Sequence, residues 1–381
     1  MNRKVIHILK CCVGLAVWLA AGCKQPYTPP ALKTNYNYLV VDGFINGGPD
    51  STIITLSRTR SLVDSIPNTP ELQAQVTVEG QAADLYPLQE LGNGIYAISQ
   101  LSLNTNENYR LRIVTSNGEQ YLSDFVPFKP TPPIDSVTWR QDSIGITVYA
   151  NTHDPTNNTR YYRWDYVETW QYRTNYFTGF DFINGAVVQR LPNQLIYDCW
   201  STANSTSINV NTSAKLSQDV ISNIAIANVA SGDERLSVKY SIQVRQYALT
   251  LDAFNYWENL QKTTENLGTL FDPQPSQLTG NIHCVNNPAE PVLGYITAST
   301  RQTQRIFVSS GQVGNWNYIP YYGACAITSV QNTDILQYFP IGQQSAFTFI
   351  GQNNLLYLMS TPECADCRAH GGSNLKPSFW Q

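Results

Sequence analysis

Few residues of this chain carry charge. Only 14% of its 381 residues are Asp, Glu, Lys or Arg, with 24 basic against 28 acidic. No basic stripe runs through it, which argues against nucleic acid as a partner. Histidine occurs four times and methionine twice, so a histidine-built metal cluster has little to draw on. No G-x-S-x-G elbow, H-E-x-x-H pair or Walker loop is present, which removes the commonest hydrolase, metalloprotease and nucleotide-binding signatures. Asp165 and Glu168 come close in "WDYVE", but on a strand their odd spacing sends them to opposite faces. The expectation is therefore no enzyme, no catalytic residue, no metal and no cofactor. Beyond the first two dozen residues no apolar run is long enough to cross a bilayer as a helix.

Those first residues are distinctive. "MNRKVIHILK CCVGLAVWLA AGCKQ" has a basic start at Arg3, Lys4 and Lys10, then a short apolar run, then "LAAGC". The small residues Ala20, Ala21 and Gly22 before Cys23 form a lipobox, the pattern of a signal peptide cut ahead of a lipidated cysteine. The alternative is an ordinary secretory signal. Residues 1–22 are read as signal and Cys23 as the acylated residue. Several acyl chains anchor a protein firmly where one does not. Residues 23–37, "CKQPYTPPALKTNYN", read as a tether. Without Arg3, Lys4 and Lys10, 21 basic residues face 28 acidic ones.

Export past the inner membrane places the body in an oxidising compartment. Five cysteines remain there: Cys199, Cys284, Cys325, Cys364 and Cys367. The "CADCRAHGG" stretch could hold zinc with His370, run thiol chemistry or be stapled. Two disulfides drawn from Cys199, Cys325, Cys364 and Cys367, with Cys284 free, is the simplest arrangement. At least one of Cys364 and Cys367 is expected to reach an upstream cysteine, Cys325 being the nearest, because a bond between the two alone would anchor nothing.

Aromatics reach 12%, with 23 Tyr and 8 Trp, too apolar a composition for disorder. Short alternating runs bounded by turn residues predict a mainly β fold. Residues 38–130 read as an immunoglobulin-like β-sandwich. Its marks are "STIITLSRT", "QAQVTVEG", and "NYRLRIVTSNGEQYLSDF" around an Asn117-Gly118 hairpin turn, with Tyr109 placed as a corner tyrosine. "KPTPPIDS" marks a boundary. Residues 131–381 read as a larger β-rich region with a disulfide-stapled C-terminus. In it "RLSVKYSIQVRQY" keeps a clean period of two. Irregular loops with short strands are expected between Gln171 and Gly232. One helix is expected near 251–267, with Thr250 as N-cap and Gly268 as its stop.

Two sets of surface candidates follow. Tyr161, Trp164 and Trp170 in "RYYRWDYVETW" could form an aromatic platform for sugars or peptides, against the alternative of core packing. Asp-Ser-aliphatic or Asp-Ser-Thr triplets mark Ser51, Ser65, Ser136 and Ser143 as O-glycosylation candidates.

The stretches "LVVDGFING", "ITLSRT", "YRLRIVTSNGEQYLSD", "YYRWDYVETW", "YSIQVRQYALTLDAFNYWENL", "GTLFDPQPSQLTGNI", "PVLGYITAS" and "CADCRAHGGSNLKPSFW" together resemble a lipoprotein family of Bacteroidota known as domain of unknown function 4249. The resemblance covers nearly all of the mature chain. It implies an outer-membrane, lipid-anchored protein working beside a TonB-dependent (SusC-like) transporter, capping it or presenting substrate for uptake. The alternative is a stand-alone surface glycan- or peptide-binding module or hydrolase. No activity is established for such proteins, so no catalytic residue carries over. Lys24 follows the lipidated cysteine without an acidic run, which leaves cell-surface and periplasmic display both open.

Overall fold

Period-two alternation governs the architecture. The computed structural model describes residues 37–60, 69–265, 279–319, 325–331, 333–338, 345–350 and 355–381. The lipobox with Cys23, the tether and Ser65 lie outside these residues. Tyr38–Thr59 and the described residues from Thr69 on belong to one compact unit. The fold is mainly β.

In the first region the strands Asn108–Val114, Gln75–Gly80, Leu85–Gly92, Ile95–Ile98, Thr52–Arg58 and Leu39–Asn46 pair in that order. Two short strands, Ala298–Ser299 and Val126–Lys129, then lead back to Asn108–Val114. The expected sandwich thus closes as an eight-strand, barrel-like sheet. Ile54, Leu56, Val76, Val78, Leu111 and Ile113 point into its core, each at most 1% exposed. Ile53, one residue out of phase, is 48% exposed. The turn after Val114 uses Gly118 at φ +87°, a conformation glycine adopts without strain.

Tyr109 is fully buried, and its hydroxyl accepts the Asn104 amide at 2.6 Å. This is the expected tyrosine corner. Tyr109→Phe should cost about 1–2 kcal/mol, because the Asn104 N–H loses its partner. Urea unfolding checks this; an unchanged midpoint would refute it.

Residues 281–299 fall in the stretch assigned to the second region, yet they complete the first. Ile282–Cys284 pairs with Gln120–Ser123, and Ala298–Ser299 lies between Leu39–Asn46 and Val126–Lys129. Leu293 exchanges main-chain hydrogen bonds with Leu39 and Val41, and Asn281 bonds both main-chain groups of Ile296. Glu290 accepts from the Tyr121 hydroxyl at 2.9 Å. Strands of two or three residues carry no readable alternation, so this return is invisible locally.

The second region is a two-sheet sandwich. Ile134–Gln141, Gly145–Asp154 and Asp219–Ala230 form one sheet, and Asp198–Asn204, Tyr161–Arg173, Lys239–Leu249 and Arg301–Ser309 form the other. Ile146, Val148 and Ala150 meet Trp164, Tyr240, Ile242, Val244 and Val308 in one core. The twelve-residue strand Asp219–Ala230 lies where loops with short strands were expected. Its register against Gly145–Asp154 slips twice, and Asn223 takes φ +52°; each irregularity shifts the alternation and hides the strand. The helix Leu251–Thr264 starts as expected, with Thr250 Oγ1 accepting from Ala253 N at 3.2 Å. It ends at Thr264, with Glu265 N donating to Gln261 O; residues 266–268, including the expected stop Gly268, lie outside the described residues.

Candidate binding face

The odd and even residues of Tyr161–Arg173 part company. Tyr162 and Trp164 enter the core, while Arg163, Asp165 and Val167 face outward. Register carries this outer face across the sheet. Arg163 lies opposite Tyr247 and then Arg301; Asp165 lies opposite Arg245 and then Thr303. Val167 meets Gln243 and Arg305, Thr169 meets Ser241 and Phe307, and Gln171 meets Lys239. On the other side Asn204, Thr202 and Trp200 extend the last three rows. Asp165 and Glu168 do go to opposite faces, for Glu168 is buried inside at 6% exposure.

One end of this face is an aromatic and ionic cluster. The Arg163 guanidinium lies 4.7 Å from the Tyr247 ring and 4.4 Å from that of Trp257, contacts of cation–π type. Phe44 meets Tyr247 edge-on at 4.9 Å. Asp165 accepts from Arg245 Nε and from Arg163 at 3.5 Å. Burial, then the Asp165 charge, pushes the Tyr247 hydroxyl up to about 12. Arg301 pairs with Asp50 at 2.8 Å.

The other end is held by the disulfides. Cys199 joins Cys367 and Cys325 joins Cys364, while Cys284 is free and buried. Both Cys364 and Cys367 therefore bond upstream, as a staple requires. Ser373 and Trp200 exchange main-chain hydrogen bonds at 2.8 and 3.0 Å, which lays the following tail along the sheet. Trp380 packs edge-on to Trp200 at 6.4 Å and Phe307 at 5.5 Å, and Lys239 Nζ donates to the Gln381 main-chain oxygen at 2.8 Å. Just beyond lies a cavity of about 410 Å³ lined by Arg173, Asn175, Tyr176, Ser237 and Tyr318. The Tyr176 hydroxyl donates to the Cys325 carbonyl at 2.7 Å, so the staple also supports this wall.

Between the two ends sits Arg305. It donates to Ser241 Oγ at 3.0 Å and Gln243 Oε1 at 2.8 Å, and Phe379 covers its guanidinium at 3.7 Å. No carboxylate meets it among the described residues, and burial pushes its pKa down. Arg163, Lys239, Arg245, Arg301 and Arg305 make this face positive despite Asp165 and Asp50, on a chain whose net charge is −4.

The platform expected of Tyr161, Trp164 and Trp170 is not assembled. Trp164 is 1% exposed and its indole donates to Gln246 Oε1 at 2.8 Å. Trp170 packs against the inner core with its Nε1 3.5 Å from Glu234, and Tyr161 lies half-buried against Phe254 at 5.2 Å. An odd and two even strand positions share no face. The face uses Arg163, Tyr247, Arg305 and Phe307 instead. Their alternation was readable in each strand, but their juxtaposition depends on register. Of the glycosylation candidates, Ser51 and Ser143 are exposed, while Ser136 is half-buried and accepts from Asn151 Nδ2 at 3.0 Å. Among the described residues no group of three or more His, Cys, Asp or Glu could hold a metal ion.

No curated protein matches the chain. Among solved structures, Escherichia coli alpha-2-macroglobulin activated by porcine elastase is similar at 13% identity, over 56% of this chain and 18% of that one, with a TM-score of 0.19. A mutant Salmonella alpha-2-macroglobulin is similar at 10% identity, over 84% of this chain and 16% of that one, with a TM-score of 0.18. The chain thus spans less than a fifth of either. Residues 24–305 match the model of the family described as domain of unknown function (DUF4249), and the chain belongs to that family.

Proposed function

We propose that this chain is a lipid-anchored, non-enzymatic binding protein of the outer membrane, which holds a ligand on the outer face of its second sandwich and presents it to a TonB-dependent (SusC-like) transporter. The observation that carries the reading is Arg305, a half-buried cation that meets no carboxylate among the described residues, set between two aromatic clusters on a hydrogen-bonded sheet. Sites on such elements are held more rigidly than sites on loops. The lipobox supports the anchor, and the family match begins at residue 24, next to Cys23.

Cys23→Ser should lose membrane association and labelling by a fatty-acid probe. Retention of both in the outer-membrane fraction would end the anchor reading. Purification from the native envelope in detergent tests the partner: a stoichiometric barrel protein supports presentation to a transporter. A lone monomer that binds oligosaccharide supports the second reading, a stand-alone surface binding module, which is favoured by the fact that one chain builds the whole face.

A further inference from the structure

We propose that the strip between the two aromatic ends of this face binds an acidic glycan, with Arg305 receiving the carboxylate or sulfate of a sugar. The proposal deepens the reading of this face as a binding platform by naming the ligand class. Arg305 spends one hydrogen bond from each terminal nitrogen on a neutral partner. A guanidinium carries further N–H donors, and these meet no acceptor among the described residues. Planar donors of this kind suit carboxylate and sulfate oxygens. A half-buried cation without a counter-charge is costly, so a ligand anion would relieve it.

The surroundings suit a sugar. Thr303 is exposed beside Arg305, with Gln243 next to it, and Thr202 and Asn204 are exposed on the far edge strand of the same face. They offer hydroxyl and amide groups to a hydroxyl-rich ligand. Phe379, 38% exposed, and the half-buried Phe307 present ring surfaces at one end, backed by the buried Trp380, and the apolar face of a sugar can pack against them. Main-chain groups under the strip are engaged in the ladders between Tyr161–Arg173, Lys239–Leu249 and Arg301–Ser309. A peptide that adds as a strand needs a free sheet edge; among the described residues Arg301–Ser309 pairs only with Lys239–Leu249, so poly-glutamate is the competitor that the titration must include.

The test is calorimetric titration of the full-length protein in detergent with polygalacturonate, chondroitin sulfate, a neutral galactan and poly-glutamate. At least one acidic glycan should bind, more weakly as salt rises. Arg305→Met should lose about tenfold or more in affinity. Arg140→Met, on the other sheet, should bind as the unmodified protein does. Arg305→Lys keeps the charge but loses the fork, so it should weaken binding with an unchanged melting curve; this variant decides the matter if Arg305→Met does not fold. Equal binding by Arg305→Met, or preference for poly-glutamate, would overturn the proposal. Preference for the neutral galactan would also overturn it while sparing the platform reading. Binding of an acidic glycan by protein that brings no barrel partner out of the native envelope would support it and favour the stand-alone module.

Discussion

Replacing Cys199 and Cys367 together by serine is expected to lower the unfolding free energy by about 4–5 kcal/mol. The bond closes a loop of 168 residues, and a cross-link over so long a loop removes much of the unfolded chain's freedom. The second bond, from Cys325 to Cys364, closes 39 residues and on the same argument contributes about 4 kcal/mol. The two bonds reach the tail three positions apart and tie it to different partners. Cys367 N also donates to Ile196 O at 2.9 Å, and the Tyr172 hydroxyl donates to Cys367 O at 2.8 Å. A short segment without regular structure frays unless tied down. Loss of Cys199–Cys367 should therefore free Trp380, now 5% exposed, and shift tryptophan emission to the red before global unfolding. Cys284→Ser, which breaks no cross-link, is the control. A double serine variant with the urea midpoint of the unmodified protein would show that the staple contributes nothing.

Arg235→Met should be nearly as damaging, at about 3–5 kcal/mol. Glu168 is buried inside the second sandwich, where it accepts from Arg235 Nη1 at 2.9 Å and from the Tyr240 hydroxyl. Without the guanidinium its carboxylate would be left charged and unpaired in a poorly polar interior. The double variant Glu168→Gln with Arg235→Met should recover most of the loss, because the stranded charge is then gone.

Acid adds a second signature. Burial alone would raise the Asp233 carboxyl, but hydrogen bonds from the Arg235 side chain and amide outweigh it and hold it below the usual carboxylate range. A group depressed on folding contributes in full above its ordinary pKa of about 3.9 and loses that contribution as pH falls through the lower folded value. Arg235→Met should flatten this share of the acid dependence. Urea titrations at neutral pH and near pH 3 measure both effects. A single variant within about 1 kcal/mol of the unmodified protein would show that Glu168 finds other partners.

Short-range chemistry made much of this protein legible in advance. Alternation in "ITL", "VTV" and "YSIQV" marks the buried positions because a strand turns its side chains over every residue. Thr250 announces the helix because its hydroxyl caps an amide three residues on, and Tyr109 announces its corner by reaching Asn104 nearby. The staple was foreseeable from cysteine number and the weakness of an unanchored tail. What stayed hidden depends on distant register. Ala298–Ser299 closes the first sheet with two residues, too few to show a period. Trp164 was open to a surface or a core position, and the second sheet that covers its strand places it in the core. Arg305 and Phe379 lie more than seventy residues apart in the chain, and Arg163 meets Tyr247 only through the pairing of two long strands. A strand's own sequence says which residues share a face; only the packed sheet decides which faces meet, which stay open, and where a charge is left without its opposite.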